Sequence, residues 1–174
     1  ADHGDMQGDH HLWRKTYAYE GSSRIPFLVV PPAELGRPRR RVCDEPVELC
    51  DLMPTLLEAV GLPVPRTVEG RSVLPLLEAP DLDWRPYVHG EHCTCYSQEQ
   101  EMQFVTDGRR KFVWLPRLDR EQFFDLEDDP GECLDLIDAP EKTAELLQHM
   151  GNLFETVNRA LWARIPRYHG GYFD

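Results

Sequence analysis

The sequence predicts an α/β chain in two parts, with residues 1–80 forming one body and residues 81–174 forming a small antiparallel sheet packed against a C-terminal helix. Three observations carry this. Residues 51–60 and 140–164 repeat apolar side chains at helical spacing. Four short runs rich in aromatic and β-branched residues crowd between residues 87 and 126. An acid- and proline-rich stretch, residues 78–86, separates the two patterns and is the candidate boundary.

The first element is a polar cluster, Asp2-His3-Gly4-Asp5-Met6-Gln7-Gly8-Asp9-His10-His11-Leu12-Trp13-Arg14-Lys15. Asp2 supplies a hard oxygen and His3 a borderline nitrogen, so both can reach one divalent ion if the backbone turns there, and Gly4 permits such a turn. Lys15, thirteen residues past Asp2, offers a flexible ammonium that binds an anionic oxygen as a point charge, while Arg14 points elsewhere on most backbones. His10 and His11 are further ligands, anion-binding groups or supports of the loop. Asp5 and Asp9 lack the spacing of a twelve-residue calcium loop. The competing reading of the whole cluster is a solvated N-terminal tail.

Next, Ile25-Pro26-Phe27-Leu28-Val29-Val30 is a continuous apolar run that suits a strand buried on both faces. The basic stretch Gly36-Arg37-Pro38-Arg39-Arg40-Arg41 reads as a solvated connector, or as arginines at the entry to an anion cleft. From 51 to 60, Leu52, Met53, Leu56, Leu57 and Val60 form a stripe expected to face the core, extended upstream by Leu49 and Cys50. Asp51 can cap this helix, Pro54 is tolerated in its first turn and Gly61 can end it. Residues 61–65 form an extended connector and residues 73–77 a brief buried turn or helix.

Beyond the boundary, strands are expected over 87–91, 103–106, 111–115 and 122–126, with Asp107-Gly108 as a tight turn between the second and third. The last helix starts near Pro140, where Asp138 and Glu141 have capping-box spacing, and aligns Leu146, Leu147, Met150, Leu153, Phe154, Val157 and Leu161 on a face that covers the sheet. His89, Glu91 and His92 cluster at a strand end. The tail over 167–174 is aromatic but too polar to bury alone, and suits a partner surface.

Composition narrows the function classes. A formal net charge of −12 weighs against nucleic-acid binding through a basic surface. No apolar run of 18 residues occurs, so no membrane span is expected, and no signal-peptide pattern opens the chain. Five cysteines, an odd number without zinc-site spacing, suit reduced thiols better than a disulfide framework, and Cys93 and Cys95 are read as structural.

The opening cluster, followed by Tyr19-Glu20-x-Ser22-x-Arg24-Ile25-Pro26-Phe27, resembles the second metal-binding segment of the sulfatase family within the alkaline-phosphatase superfamily. The likeness continues through Asp51-Leu52-Met53-Pro54-Thr55-Leu56-Leu57, Gly61-Leu62-Pro63, Val105-Thr106-Asp107-Gly108-Arg109-x-Lys111-Phe112 and residues 122–132, so it covers roughly residues 1–138. It implies that residues 1–80 are the C-terminal part of a sulfatase-like α/β/α catalytic domain and that residues 81–174 are its C-terminal subdomain. Asp2 and His3 match the late pair of metal ligands, and Lys15 matches the lysine that contacts sulfate or phosphate oxygens, with His10 placed beside the substrate. The implied cofactors are a divalent metal, Ca2+ first with Mg2+ or Mn2+ as alternatives, and a formylglycine made from Cys or Ser in a Cys/Ser-x-Pro/Ala-x-Arg motif. This sequence contains no such motif. The implied substrate is an anionic sulfate ester and the implied partner is the N-terminal half of the enzyme, so the chain alone is expected to be catalytically incomplete. Two alternatives stand beside this: a phosphonate- or phosphate-ester hydrolase of the same superfamily, and a non-catalytic partner-binding module.

Overall fold

The computed structural model describes residues 1–36, 42–79, 82–93, 97–142, 144–149, 151 and 155. The arginines of the basic stretch, Cys95, the helix-face positions Met150, Leu153, Phe154, Val157 and Leu161, and the tail over 167–174 lie outside these residues. The fold is mixed α/β, and the chain divides into two compact units, Ala1–Val88 and His89–Asp174.

In the first unit the N-terminal segment runs beside a short helix, α1 (Glu20–Ser23). Gly4 donates its N–H to the Ser22 carbonyl at 2.9 Å, and a Cβ at Gly4 would overlap the Gly21 carbonyl. Gly4 therefore serves close approach of two backbones rather than the sharp turn expected of it, and it is absent from the residues at positive φ. Met6, 1% exposed, and Ala18 fill the space beneath, with the Met6 sulfur set 3.3 Å from where a Cβ on Gly21 would stand.

Residues 25–30 depart from expectation. They make no sheet ladder among the described residues, and burial alternates: Ile25, Phe27 and Val29 are half-buried, whereas Leu28 and Val30 are 87% and 83% exposed. The period of two belongs to an extended segment covered on one side only.

The second helix, α2 (Leu52–Ala59), ends at Gly61 as expected, with φ 71° at the glycine and the Leu62 N–H returning to the Leu57 carbonyl at 2.9 Å. Its orientation reverses the expectation. Pro54 and Thr55 are buried, while Leu52, Met53, Leu56 and Val60 are exposed, as is Leu49 just upstream. Polar bonding dictates this. Thr55 Oγ1 donates to the Asp51 carbonyl at 2.6 Å and accepts the Val73 N–H at 3.0 Å, tying α2 to the buried 3-10 turn Leu74–Leu77. Asp51, fully buried, uses its side chain to accept the N–H groups of Glu48 (2.9 Å) and Arg71 (2.8 Å), so it caps the turn before α2 rather than α2 itself.

The second unit is a four-stranded antiparallel sheet in the order β1 (Val88–His92), β2 (Met102–Thr106), β3 (Arg110–Leu115), β4 (Arg120–Asp125). Val105, Phe112 and Phe123 sit opposite one another across three strands, and each is fully buried. The Asp107-Gly108 turn closes as expected, with Gly108 at φ 87° and Asp107 Oδ1 accepting the N–H groups of Arg109 and Arg110 at 2.8 and 2.7 Å. Residues 144–149 are helical. Leu146 is buried, but Leu147 is 61% exposed, and His149 rather than Leu147 turns to the sheet, with its ring 5.7 Å from that of Phe123. On the opposite face Lys111 and Glu132 form a buried ion pair at 2.8 Å.

Candidate functional site

The candidate site is the loop over residues 2–16. Backbone bonds close it in two nested steps, Met6 N–H to the Arg14 carbonyl at 2.7 Å and Gly8 N–H to the Leu12 carbonyl at 2.9 Å. Closure this tight forces unusual backbone angles. Gln7, His10, His11, Arg14 and Thr16 all lie at positive φ, between 49° and 83°. Such conformations cost of order 1–3 kcal/mol each where the residue is not glycine, and they concentrate at functional sites. Thr16, β-branched at φ 83°, also buries its Oγ1 without a hydrogen-bond partner.

Asp2 and His3 converge. Nδ1 of His3 lies 2.8 Å from the Gly4 carbonyl, and a carbonyl can only accept, so that nitrogen carries the proton. In the neutral ring the lone pair then falls on Nε2, which stands 3.9 Å from the Asp2 carboxylate. Asp2 is held below the usual carboxylate range by its own backbone N–H, then by His3 and by the ammonium of Lys15. The carboxylate stays ionised, and Lys15, itself exposed, reaches the same neighbourhood. Two donors bonded at about 2.0–2.4 Å to one cation can stand this far apart, so the pair fits part of a divalent-metal shell. His10 is placed differently. Its ring stacks on Tyr19 with centroids 4.1 Å apart and planes 7° from parallel, which fixes the loop to the residue preceding α1. Asp5 accepts the Gln7 N–H at 3.0 Å in a local turn.

A second gathering of ligand-type residues, Glu48, Cys50 and Asp51, surrounds a cation already present. Arg85 binds Asp51 through both terminal nitrogens, at 2.9 and 2.5 Å, and Glu48 at 2.6 Å. Burial opposes the charge on Arg85, but these hydrogen bonds outweigh it and raise its pKa. Burial and the adjacent carboxylates push the Cys50 thiol up to about 11, which suits an inert thiol. Arg85 and Trp84, whose indole N–H donates to the Pro46 carbonyl at 2.8 Å, come from the stretch 78–86 and were not singled out by sequence reasoning. The buried Asp51 asked for a cation, but nothing in spacing names one 34 residues away.

In the second unit the shared motifs build structure. Asp125 accepts the N–H groups of Glu127 and Asp128 and pairs with Arg110, while Asp129 accepts the Leu134 N–H. His89 Nε2 lies 2.6 Å from the Gln103 side-chain oxygen, and Gln103 reaches Glu91 at 3.4 Å. The described cysteines, Cys43, Cys50, Cys93 and Cys133, are free. No helix among the described residues is long and apolar enough to cross a membrane.

Comparison with known proteins follows the same outline. Residues 8–160 match the family described as N-sulphoglucosamine sulphohydrolase, C-terminal. The chain is 42% identical over 142 residues to an arylsulfatase of Clostridium perfringens, a match that spans 81% of this chain and 29% of that protein. Among solved structures it is similar to a 2-O GAG sulfatase, at 27% identity and TM-score 0.78, covering 91% of this chain and 35% of the other. It is also similar to the phosphonate monoester hydrolase of Silicibacter pomeroyi, at 28% identity and TM-score 0.63, covering 95% and 33%. The chain thus spans about a third of the length of these relatives. With the family matched over most of its length and the fold shared, the chain belongs to the sulfatase family of hydrolases, in the C-terminal region of that family.

Proposed function

We propose that this chain supplies part of the metal shell and one anion-binding cation to a hydrolase of sulfate esters. The observation that carries the reading is His3, whose Nδ1–H is spent on the Gly4 carbonyl so that Nε2 and the ionised Asp2 carboxylate, 3.9 Å apart, face one position. Asp2 and His3 would hold the divalent cation, Ca2+ first by the hardness of the carboxylate, with Mg2+ or Mn2+ as alternatives. When bound, such a cation polarises the ester oxygens and favours their developing negative charge.

The chain's own residues do the rest of its share. Lys15 neutralises the anionic head of the substrate and stabilises charge as the bond to the leaving oxygen breaks, a role worth about 3–4 kcal/mol where one such donor is removed from an enzyme. The Gly4–Ser22 bond and the Gly4–Gly21 contact hold the ligand pair against α1, and the His10–Tyr19 stack holds the far end of the loop. His10 is a positioning residue in this reading, with contact to substrate a secondary role. The nucleophile, a formylglycine in the family, would come from polypeptide outside these 174 residues, which carry no motif for making one.

The test is a single polypeptide in which the part of the Clostridium perfringens arylsulfatase preceding its matched region is joined to this chain. Hydrolysis of p-nitrophenyl sulfate is expected, lost on chelation and in Asp2→Ala or His3→Ala, and lowered about 100- to 1000-fold in Lys15→Ala. The isolated chain is expected to show none. Metal-dependent turnover by the isolated chain, or full activity of the Lys15 variant, would overturn the proposal. A second reading, favoured by the phosphonate monoester hydrolase of like fold, wins if the joined enzyme prefers p-nitrophenyl phenylphosphonate to the sulfate.

A further inference from the structure

Ser22 touches both halves of the candidate site. Its carbonyl accepts the N–H of Gly4, the residue after His3, at 2.9 Å, and its hydroxyl accepts the N–H of Tyr17, two residues past Lys15, at 3.3 Å. Ser22 is 6% exposed, and its own N–H is bonded to the Tyr19 carbonyl at 2.9 Å, so both acceptors are held in place inside the unit.

The lysine side of this arrangement is under strain. The Met6 N–H anchors the Arg14 carbonyl at 2.7 Å and Ser22 anchors Tyr17, so Lys15 and Thr16 span the gap between two fixed points. Arg14 lies at φ 71° and Thr16 at φ 83°. Thr16 is the one β-branched residue at positive φ among the described residues, and its Oγ1 is also buried without a hydrogen-bond partner. A β-branched side chain is crowded by its own backbone in this region, and a buried hydroxyl left unpaired carries its desolvation penalty in full. Folding requires neither cost, since glycine would adopt the angle freely, as it does at Gly8, Gly61 and Gly108. Strain of this kind persists only where the surroundings over-determine it, and here the surroundings are the two anchors.

We propose that Ser22 is a positioning residue whose hydroxyl holds the strained turn at Lys15 and Thr16, and so fixes where the anion-binding lysine starts relative to Asp2 and His3. The carbonyl of the same residue holds the segment that carries the ligand pair, so one buried serine sets the spacing between the metal ligands and the anion-binding cation. Lys15 is exposed and long, and a flexible ammonium returns to a given place only as reliably as its backbone is held. The inference deepens the proposed function and rests on it for the role of Lys15.

The experiment uses the isolated chain and the joined polypeptide with the Clostridium perfringens segment. In the isolated chain, Ser22→Ala should speed hydrogen exchange at the Tyr17 amide at least tenfold and leave the Gly4 amide within twofold, because only the hydroxyl is removed. Thr16→Gly should raise the unfolding midpoint by about 2–4 °C, and that gain should vanish in the Ser22→Ala background, where the turn is already slack. In the joined polypeptide either substitution should lower kcat for p-nitrophenyl sulfate about 10- to 100-fold, which makes Thr16→Gly both more stable and slower. Ser22→Ala should cost less than about twofold in a Lys15→Ala background, since it acts through that lysine, and should leave the metal concentration for half-maximal activity within about twofold. A loss of kcat of the same size with and without Lys15, an unchanged Tyr17 exchange rate, or a Thr16→Gly chain that melts no higher would overturn the proposal. A joined polypeptide that turns nothing over would count against the sulfate-ester reading, while exchange and melting of the isolated chain still decide whether Ser22 holds the turn.

Discussion

Single side chains divide into those that shape the loop and those that hold distant segments of one unit together. Asp51 and Arg85 are of the second kind: the carboxylate is fully buried and the arginine side chain 12% exposed, so each depends on the other for its charge to be tolerated. Asp51→Ala leaves the guanidinium with Glu48 as its remaining carboxylate and frees the Arg71 and Glu48 N–H groups. Breaking a buried pair from one side costs about 3–5 kcal/mol. Urea unfolding of the isolated chain should show a loss of that size, and a loss below about 1 kcal/mol would mean that Arg85 finds water or another partner. Gly70 is the matching case for a backbone contact, because a Cβ there would overlap the Cys50 carbonyl. Gly70→Ala should lower stability by about 1–3 kcal/mol through forced displacement of the segment that Asp51 and Thr55 grip. At this scale the sequence was only partly legible. Asp2, His3 and Lys15 could be picked out because their donor chemistry is written in their side chains. Gly4 was read as a turn because a missing side chain does not say whether it frees φ or admits a neighbour.

Elements were easier to locate than to orient. The four strands of the sheet fall within about two residues of their aromatic and β-branched runs, and the Asp107-Gly108 turn lies where turn chemistry requires it. Helix α2 was placed well and faced wrongly, since periodicity reveals an apolar stripe but not what covers it. His149 was missed for a related reason: it lies on the sheet-facing side of the last helix, where apolar counting passes over it. Its Nε2 is 3.1 Å from Asp107 at the β2–β3 turn, and its Nδ1 is 2.9 Å from the Glu145 carbonyl. The hydrogen bond to Asp107 raises the His149 pKa above 6.5 against the effect of burial. Burial would raise Asp107, but the bonds from His149, Arg110 and Arg109 bring it down to about 2. A raised histidine contributes its stabilisation fully below the unfolded value and loses it as pH climbs through the folded one. A depressed carboxylate contributes above its unfolded value, near 3.8, and loses it as pH falls towards 2. The clamp between helix and hairpin is therefore strongest between about pH 4 and 6.5. Stability measured by urea at pH 5.5 and 8.5 should fall with rising pH, and His149→Gln should flatten that difference. An unchanged slope in the variant would assign the pH dependence to other groups.

For the whole molecule, the two units have different tasks. The candidate ligands Asp2 and His3 and the candidate anion-binding Lys15 lie in the first, while the described motifs of the second serve turns, ion pairs and the packing of a helix on a sheet. Residue patterns made that second unit legible because its core is internal: Val105, Phe112 and Phe123 bury one another. The first unit was less legible because its apolar stripes over 25–30 and 49–60 face outward, and periodicity reveals a stripe without saying which side of the element is packed. Substitutions that disturb the second unit are thus expected to lower yield and melting temperature of a joined enzyme while leaving kcat per folded molecule within about twofold. A fall in kcat without loss of stability in His89→Ala would instead bring the β1 edge into the chemistry. The chain has three lysines, Lys15, Lys111 and Lys142. Lys15 is exposed, Lys142 is 24% exposed and Lys111 is wholly enclosed with Glu132. An amine-reactive mass tag should accordingly mark Lys15 within moments and Lys111 only when the sheet opens. The three amines thereby form a clock carried in the protein, on which the first tag records access to the N-terminal loop and the last records each unfolding of the second unit.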